Sequence, residues 1–297
     1  MMQNLISVVD YDGDWALKEG FQHPRSQPGY LSREEIVAFY GTLGVDALEF
    51  SHCYWDDSSP ASLKNLAANC GLPIVCYLFE VDLTLPSTDR RHSRDVAFSL
   101  LDRTAELGAP LAMIVPAFVK PGVPLRVQRR WLIEGLRDCA AHAESIGVTL
   151  VVENFDDLPA RPFLSWGSDC REICAEVNSP AFRLIYDSGA PQFIGENPLD
   201  TLIEMAPFLV HVHLKNNRQV KPGEHVGRFL ESENGQQYTG TVLDGGEVDL
   251  GPILAELNRM QYDGYLLIEY QGEDDPRTAL QHNVEYLRSL IKENTTG

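Results

Sequence analysis

The chain has 297 residues, 44% of them hydrophobic, and carries 24 Lys and Arg against 43 Asp and Glu, a net charge of −19. That length holds two average domains or one large α/β barrel of about 250 residues, and no window approaches the roughly 20 apolar residues of a membrane helix. So acidic a surface repels phosphate backbones and anionic headgroups, which excludes nucleic acid and the membrane surface as partners. Six scattered cysteines form no zinc-like pairing and read as reduced thiols of a cytoplasmic protein. The N-terminus runs almost straight into a strand-like segment, without the basic and apolar regions of a signal peptide.

Strand-like and helix-like segments alternate along the whole chain. Leu5–Val9 is the first strand, and a long polar loop at 20–30 follows it. Ser32 with Glu35 three residues on is a capping box opening a helix to about Leu43. Gly44–Phe50 is strand two, Ser59–Asn69 helix two, Pro73–Phe79 strand three and Thr88–Leu107 helix three. Strand four is Leu111–Val115 and helix four Val127–Ser145. The second half continues with strand five at Thr149–Val152, helix five at Ser168–Val177, strand six at Phe182–Tyr186 and helix six at Pro198–Met205. Strand seven is Leu209–Leu214, helix seven Pro252–Met260, strand eight Tyr265–Ile268 and helix eight Pro276–Ile291. Eight strands and eight helices without a linker predict one (β/α)8 TIM barrel over residues 1–297, with an inserted loop at about 217–246. A doubly wound sheet is disfavoured because no G-x-G-x-x-G turn follows strand one.

Four apolar runs end in metal-liking side chains: Val151-Val152-Glu153, Ile185-Tyr186-Asp187, His211-Val212-His213 and Leu267-Ile268-Glu269. In a TIM barrel such strand ends gather at the C-terminal rim, where active sites lie. Any one acid could merely cap the next helix; four in a row predict a site. The intervals from 153 to 187 and from 187 to 213 fit one strand–helix unit each, whereas 213 to 269 is too long and implies the insertion. Three carboxylates and one imidazole suit one divalent ion, Mn²⁺ first, with Mg²⁺ or Co²⁺ as alternatives, rather than structural zinc.

These runs, together with Tyr186-Asp187-Ser188-Gly189, His213-Leu214-Lys215, Gly246-Glu247-Val248-Asp249 and Gly264-Tyr265, resemble the xylose isomerase-like superfamily. Within it they resemble the sugar phosphate isomerase/epimerase branch, which includes ketose 3-epimerases, inosose dehydratases and dehydroshikimate dehydratases. The match covers Thr149 to Glu269 well and the first half only in pattern. The resemblance implies that Glu153, Asp187, His213 and Glu269 are the metal ligands, and that Glu153 and Glu269 are also the two bases. Two departures stand out: Ala190 where many members have histidine or asparagine, and Asn216 where many have aspartate.

Around this set, Arg218 follows the metal histidine where several members place a substrate-binding arginine, or it only balances nearby acids. His52, after strand two, is a candidate donor to a substrate hydroxyl or a structural rim histidine. Lys215 shares a side of its strand with His213 and is a third candidate substrate contact. His211 is read as packing or as a support behind the ligands, pointed away from the metal. The ligands themselves are expected at the rim rather than in the core. The 217–246 loop is expected to be a lid, wall or partner surface, with a disordered insertion as the alternative, and the 20–30 loop could form the opposite wall.

The leading expectation is a metal-dependent isomerase or epimerase of a small sugar, keto-sugar or cyclitol, working by proton transfer through a metal-stabilised enediolate. The alternative is a lyase on the same scaffold, an inosose-type dehydratase or a 3-keto-glycoside β-eliminating enzyme. A non-catalytic sugar-binding or partner-binding barrel is a further alternative, and a homo-oligomer or a completing partner subunit is left open.

Overall fold

The computed structural model describes residues 5–10, 32–52, 58–156 and 161–295. The 20–30 loop therefore lies outside the described residues. Eight parallel strands close into a barrel: β1 (Leu5–Val9), β2 (Ala47–Ser51), β3 (Ile74–Glu80), β4 (Leu111–Val115), β5 (Thr149–Glu153), β6 (Phe182–Asp187), β7 (Leu209–Leu214) and, last in the chain, β11 (Tyr265–Ile268). Around the barrel the order is β1, β11, β7, β6, β5, β4, β3, β2, so every strand pairs with its sequence neighbour in the barrel and β11 closes on β1. The expected TIM barrel is the observed fold.

Helices alternate with the strands: α1 (Arg33–Tyr40), α2 (Pro60–Asn69), α3 (Arg90–Leu107), α4 (Leu125–Ile146), α6 (Gly167–Val177), α7 (Pro198–Met205), α8 (Leu250–Arg259) and α9 (Pro276–Thr295), with a single short turn, α5 (Arg161–Leu164), before α6. Their ends follow local chemistry. Ser32 and Glu35 bond reciprocally to each other's backbone N–H at 3.2 and 2.8 Å, the predicted capping box. Asn197 and Asp249 cap α7 and α8 by accepting from the backbone two residues on. Gly147 ends α4 at φ 76°, a left-handed conformation that glycine adopts without strain.

The strands are buried on both faces, which is why they read as nearly continuous apolar runs. On β7, Val212 and Leu214 alternate with His211 and His213, and all four are almost fully buried. Burying each such aliphatic side chain stabilises the barrel by roughly 1.5–3 kcal/mol. The barrel's own interior is more polar, holding Ser7, Glu49, His211, His213 and Lys215.

The 217–246 stretch is an ordered structure. It forms a three-stranded antiparallel sheet of β8 (Asn216–Gln219), β9 (Leu230–Glu231) and β10 (Gln237–Thr241), with β10 in the middle. Its alternation is too short and too polar to register as strands in the sequence. Two anchors hold it. Buried Asn216 donates to the carbonyls of Leu243 and Val248 and accepts from the Val248 N–H at 3.0 Å, and Gly240 bridges to Gly272 just after β11. No described helix is long and apolar enough to cross a membrane.

Candidate metal centre and active site

Two small polar side chains set the rim. Asn154, directly after β5, donates to the Asp187 carbonyl at 2.9 Å and accepts from the Asp187 N–H at 2.8 Å. Ser188 does the same for the next pair, exchanging hydrogen bonds with the Lys215 backbone at 2.8 and 2.9 Å. The Glu269 N–H donates to the Leu214 carbonyl at 3.0 Å. Successive strand tails are thus locked in register, and Glu153, Asp187, His213 and Glu269 fall along one arc of the barrel mouth.

Within that arc Glu153 Oε2 stands 3.0 Å from His213 Nδ1, and Glu269 Oε2 stands 3.6 Å from the same nitrogen. The three ligand atoms lie within 4.8 Å of one another. All three are buried and form no hydrogen bond of good geometry, a rare condition for buried polar atoms and one that a divalent ion satisfies. The donor set, two carboxylates and one imidazole, fits Mn²⁺ or Mg²⁺. Asp187 sits beside this trio. Its Oδ1 accepts from the Gly189 N–H at 2.6 Å, and its Oδ2 lies 2.9 Å from Lys215 Nζ.

The expectation of ligands at the rim rather than in the core needs correcting for His213, which is only 1% exposed and lies inside the barrel mouth. So does the reading of His211. Residues two apart on a strand share a face, and both rings point inward, edge to face with centroids 5.2 Å apart. His211 Nε2 reaches Glu49 Oε1 on β2 at 2.6 Å.

Lys215 is at the centre of the site rather than at its edge. Its Nζ contacts Asp156 at 2.7 Å, Asp187 at 2.9 Å and Glu269 at 3.5 Å. Arg218 lies on β8 and is engaged by Glu224, with nitrogen–oxygen distances of 2.7 and 3.1 Å. His52 contacts Tyr77 Oη at 3.2 Å and lines a hollow with Pro60, Leu100 and Arg103 between α2 and α3, which holds none of the ligand candidates.

Electrostatics separate the carboxylates. Burial raises the Glu153 carboxyl to about 7 against the pull of His213, and it raises Asp187 to about 6 despite Lys215. Burial opposes ionisation of Glu269 as well, yet Lys215 and His213 hold that carboxyl down at about 2. Burial alone would depress His213, but its contacts with Glu153, Glu269 and Glu49 carry it well above the ordinary histidine value.

Glu49, Asp156 and Gln271 also belong to this cluster and are not among the residues expected from the sequence. Glu49 had a usable signal, a carboxylate inside the buried run Ala47-Leu48-Glu49-Phe50. Asp156 and Gln271 sit in loops with nothing to mark them, although Gln271 donates to Glu269 Oε1 at 2.5 Å.

The family description "Xylose isomerase-like TIM barrel" matches residues 37–290. The chain belongs to the xylose isomerase-like TIM barrel family. Its relatives in that family include an inosose dehydratase of Clostridium perfringens, 37% identical over 171 residues, 55% of this chain and 54% of that protein. The chain thus matches about half the length of that relative. A fructoselysine 3-epimerase of Escherichia coli O157:H7 is 23% identical over 85% of this chain and 91% of its own length. Among solved structures, a xylose isomerase-like TIM barrel protein from Mycobacterium smegmatis in complex with magnesium superposes with a TM-score of 0.69. It is 17% identical and covers 98% of each chain.

Proposed function

We propose that the protein is a divalent-metal-dependent enzyme that moves a proton beside a carbonyl of a small sugar, keto-sugar or cyclitol, as an isomerase or epimerase. The observation that carries this reading is the pair Glu153 and Glu269 facing His213 Nδ1 from the two ends of the β5–β6–β7–β11 arc. Glu153, His213 and Glu269 would hold the ion, with Asp187 as the fourth ligand once its Oδ2 is shared with Lys215. A bound divalent ion supplies a Lewis acid that acidifies the C–H next to a carbonyl.

The chain's own groups do the rest. One glutamate takes the proton, and the C–H electron pair passes to the carbonyl oxygen to give an enediolate. The other glutamate returns a proton to carbon. Without the ion Glu153 holds a proton near neutral pH, which it must give up to become a ligand, whereas Glu269 is already ionised beside Lys215 and Gln271. Lys215 is placed to orient a substrate oxygen. Arg218 and His52 can act as contacts only if Arg218 leaves Glu224 and if a substrate reaches the β2–β3 side.

A second reading is favoured by the inosose dehydratase relatives. The same proton abstraction would then be followed by loss of a β-hydroxyl as water. Incubating the Mn²⁺-loaded protein with ketoses, inososes and 3-keto glycosides in D₂O separates the two by NMR. Deuterium entering recovered substrate and its epimer supports the first reading, and water loss without such exchange supports the second. Neither event with any substrate class would leave the non-catalytic barrel.

Ion binding must release the protons that Glu153, Asp187 and His213 retain. The bound state therefore holds fewer protons than the free state, and Mn²⁺ affinity is expected to rise with pH between about 5.5 and 8. Calorimetry in two buffers of different ionisation enthalpy measures the release; a pH-independent affinity with no proton release would contradict these ligands.

We assign the β8–β10 sheet as one wall of the site. A Cβ on Gly240 would lie 2.4 Å from the Gln271 carbonyl, so Gly240→Ala must lift the sheet from the segment that carries Glu269. A fall in kcat/KM on the order of 10-fold or more is expected, since small misplacements are expensive in catalysis, with little change in Tm. A large loss of Tm with kcat/KM per folded molecule intact would make the sheet purely structural.

A further inference from the structure

Beneath the ligand trio the barrel holds a second polar group that the proton-transfer scheme leaves unused. Glu49 on β2 is 2% exposed, a carboxylate buried inside the barrel. Its Oε1 accepts from Ser7 Oγ at 3.2 Å and faces His211 Nε2 at 2.6 Å, so neighbours on β1 and β7 fix the carboxylate in place. Its other oxygen, Oε2, lies 3.7 Å from His213 Nε2. That nitrogen is buried and makes no hydrogen bond. The His213 ring is therefore strung between two carboxylate groups, with Nδ1 toward Glu153 and Glu269 and Nε2 toward Glu49.

An imidazole binds a metal through one unprotonated nitrogen, and the proton must then sit on the other. A carboxylate behind the ring selects that arrangement and fixes the ring plane. Bringing 3.7 Å to a charge-assisted hydrogen bond takes about 1 Å of ring movement. We propose that Glu49 is the positioning residue for His213: it accepts the Nε2–H and so presents Nδ1 to the ion. His211 serves as the brace that holds Glu49, which accounts for a second inward histidine that is not itself next to Glu153 or Glu269. The inference rests on the metal centre proposed above.

The test compares the full-length protein with Glu49→Gln, which keeps the shape, and Glu49→Ala. Free Mn²⁺ measured by EPR gives affinity and stoichiometry, and ¹⁵N NMR of the metal-free proteins, at a pH high enough to leave His213 neutral, gives its protonation pattern. The wild type is expected to bind one ion per chain with His213 protonated at Nε2 alone. The variants, folded by circular dichroism, should bind Mn²⁺ roughly 10- to 100-fold more weakly and lose that uniform signature. Weaker binding with an unchanged His213 signature would mean that Glu49 acts through its charge alone and would overturn the positioning role. Equal affinity in a folded variant would also overturn it, as would a second ion per chain held by Glu49, His211 and His213. Failure of the wild type itself to bind an ion would instead sink the metal centre, and this inference with it. Glu49→Gln keeps the comparison available if Glu49→Ala does not fold.

Discussion

Glu153→Gln and Glu269→Gln are each expected to lower turnover by roughly 10²-fold or more, the scale of losing a general base. Glutamine keeps the shape and one oxygen ligand but cannot carry the proton. The two variants should differ in how much metal they keep. Glu269 Oε1 accepts from Gln271 and faces Lys215, so the amide oxygen of Glu269→Gln must serve those donors and its NH₂ turns toward the ligand cluster. Glu153 has no such donors at its Oε2 and can turn its amide oxygen to the ion. Glu269→Gln should therefore lose more metal affinity, measured by equilibrium dialysis, at equal or lower turnover. For an epimerisation, each variant should also block exchange from one epimer more than from the other. Equal deuterium exchange from both epimers in either variant would rule out the two-base scheme.

Lys215→Met is expected to destabilise the metal-free protein by about 3–5 kcal/mol, the usual result of removing one partner from buried ion pairs. Lys215 is 2% exposed and is the shared cation of Asp156, Asp187 and Glu269. Methionine fills similar volume and leaves those carboxylates uncompensated. Mn²⁺ should restore part of the loss, about 2.7 kcal/mol at a concentration 100-fold above Kd, because the ion replaces the missing charge. Urea unfolding with and without Mn²⁺ measures both quantities. Equal stability of variant and wild type in metal-free buffer would show that solvent already neutralises these acids.

The barrel was legible because its signals are local. Two-faced burial makes each strand a short apolar run, and a capping box such as that of Ser32 and Glu35 marks a helix start that agrees with the structure within a residue or two. Glu153, His213 and Glu269 were legible for the same reason, as polar endings of apolar runs. What the sequence hid depends on contacts across the barrel. Nothing near position 49 announces that its carboxylate meets an imidazole from β7, and nothing near 156 announces Lys215. His211 was misplaced by an error of strand geometry, since a spacing of two keeps a side chain on the same face. The β8–β10 sheet escaped because its strands are short and lean on Asn216 and Gly240 rather than on an apolar pattern.

Asn154 and Ser188 separate the parts of this protein that must stay fixed from those free to change. Each commits its side chain to the main chain of the neighbouring strand, so the two glutamates proposed as bases ride on a frame set before any ligand arrives. Loops beyond that frame can be lengthened, exchanged or retuned to another substrate while the spacing between the two glutamates survives. Changes of substrate range should therefore be sought in 190–193 and 216–241. The positions least open to redesign include these two small side chains, which hydrogen-bond to backbone on the neighbouring strand.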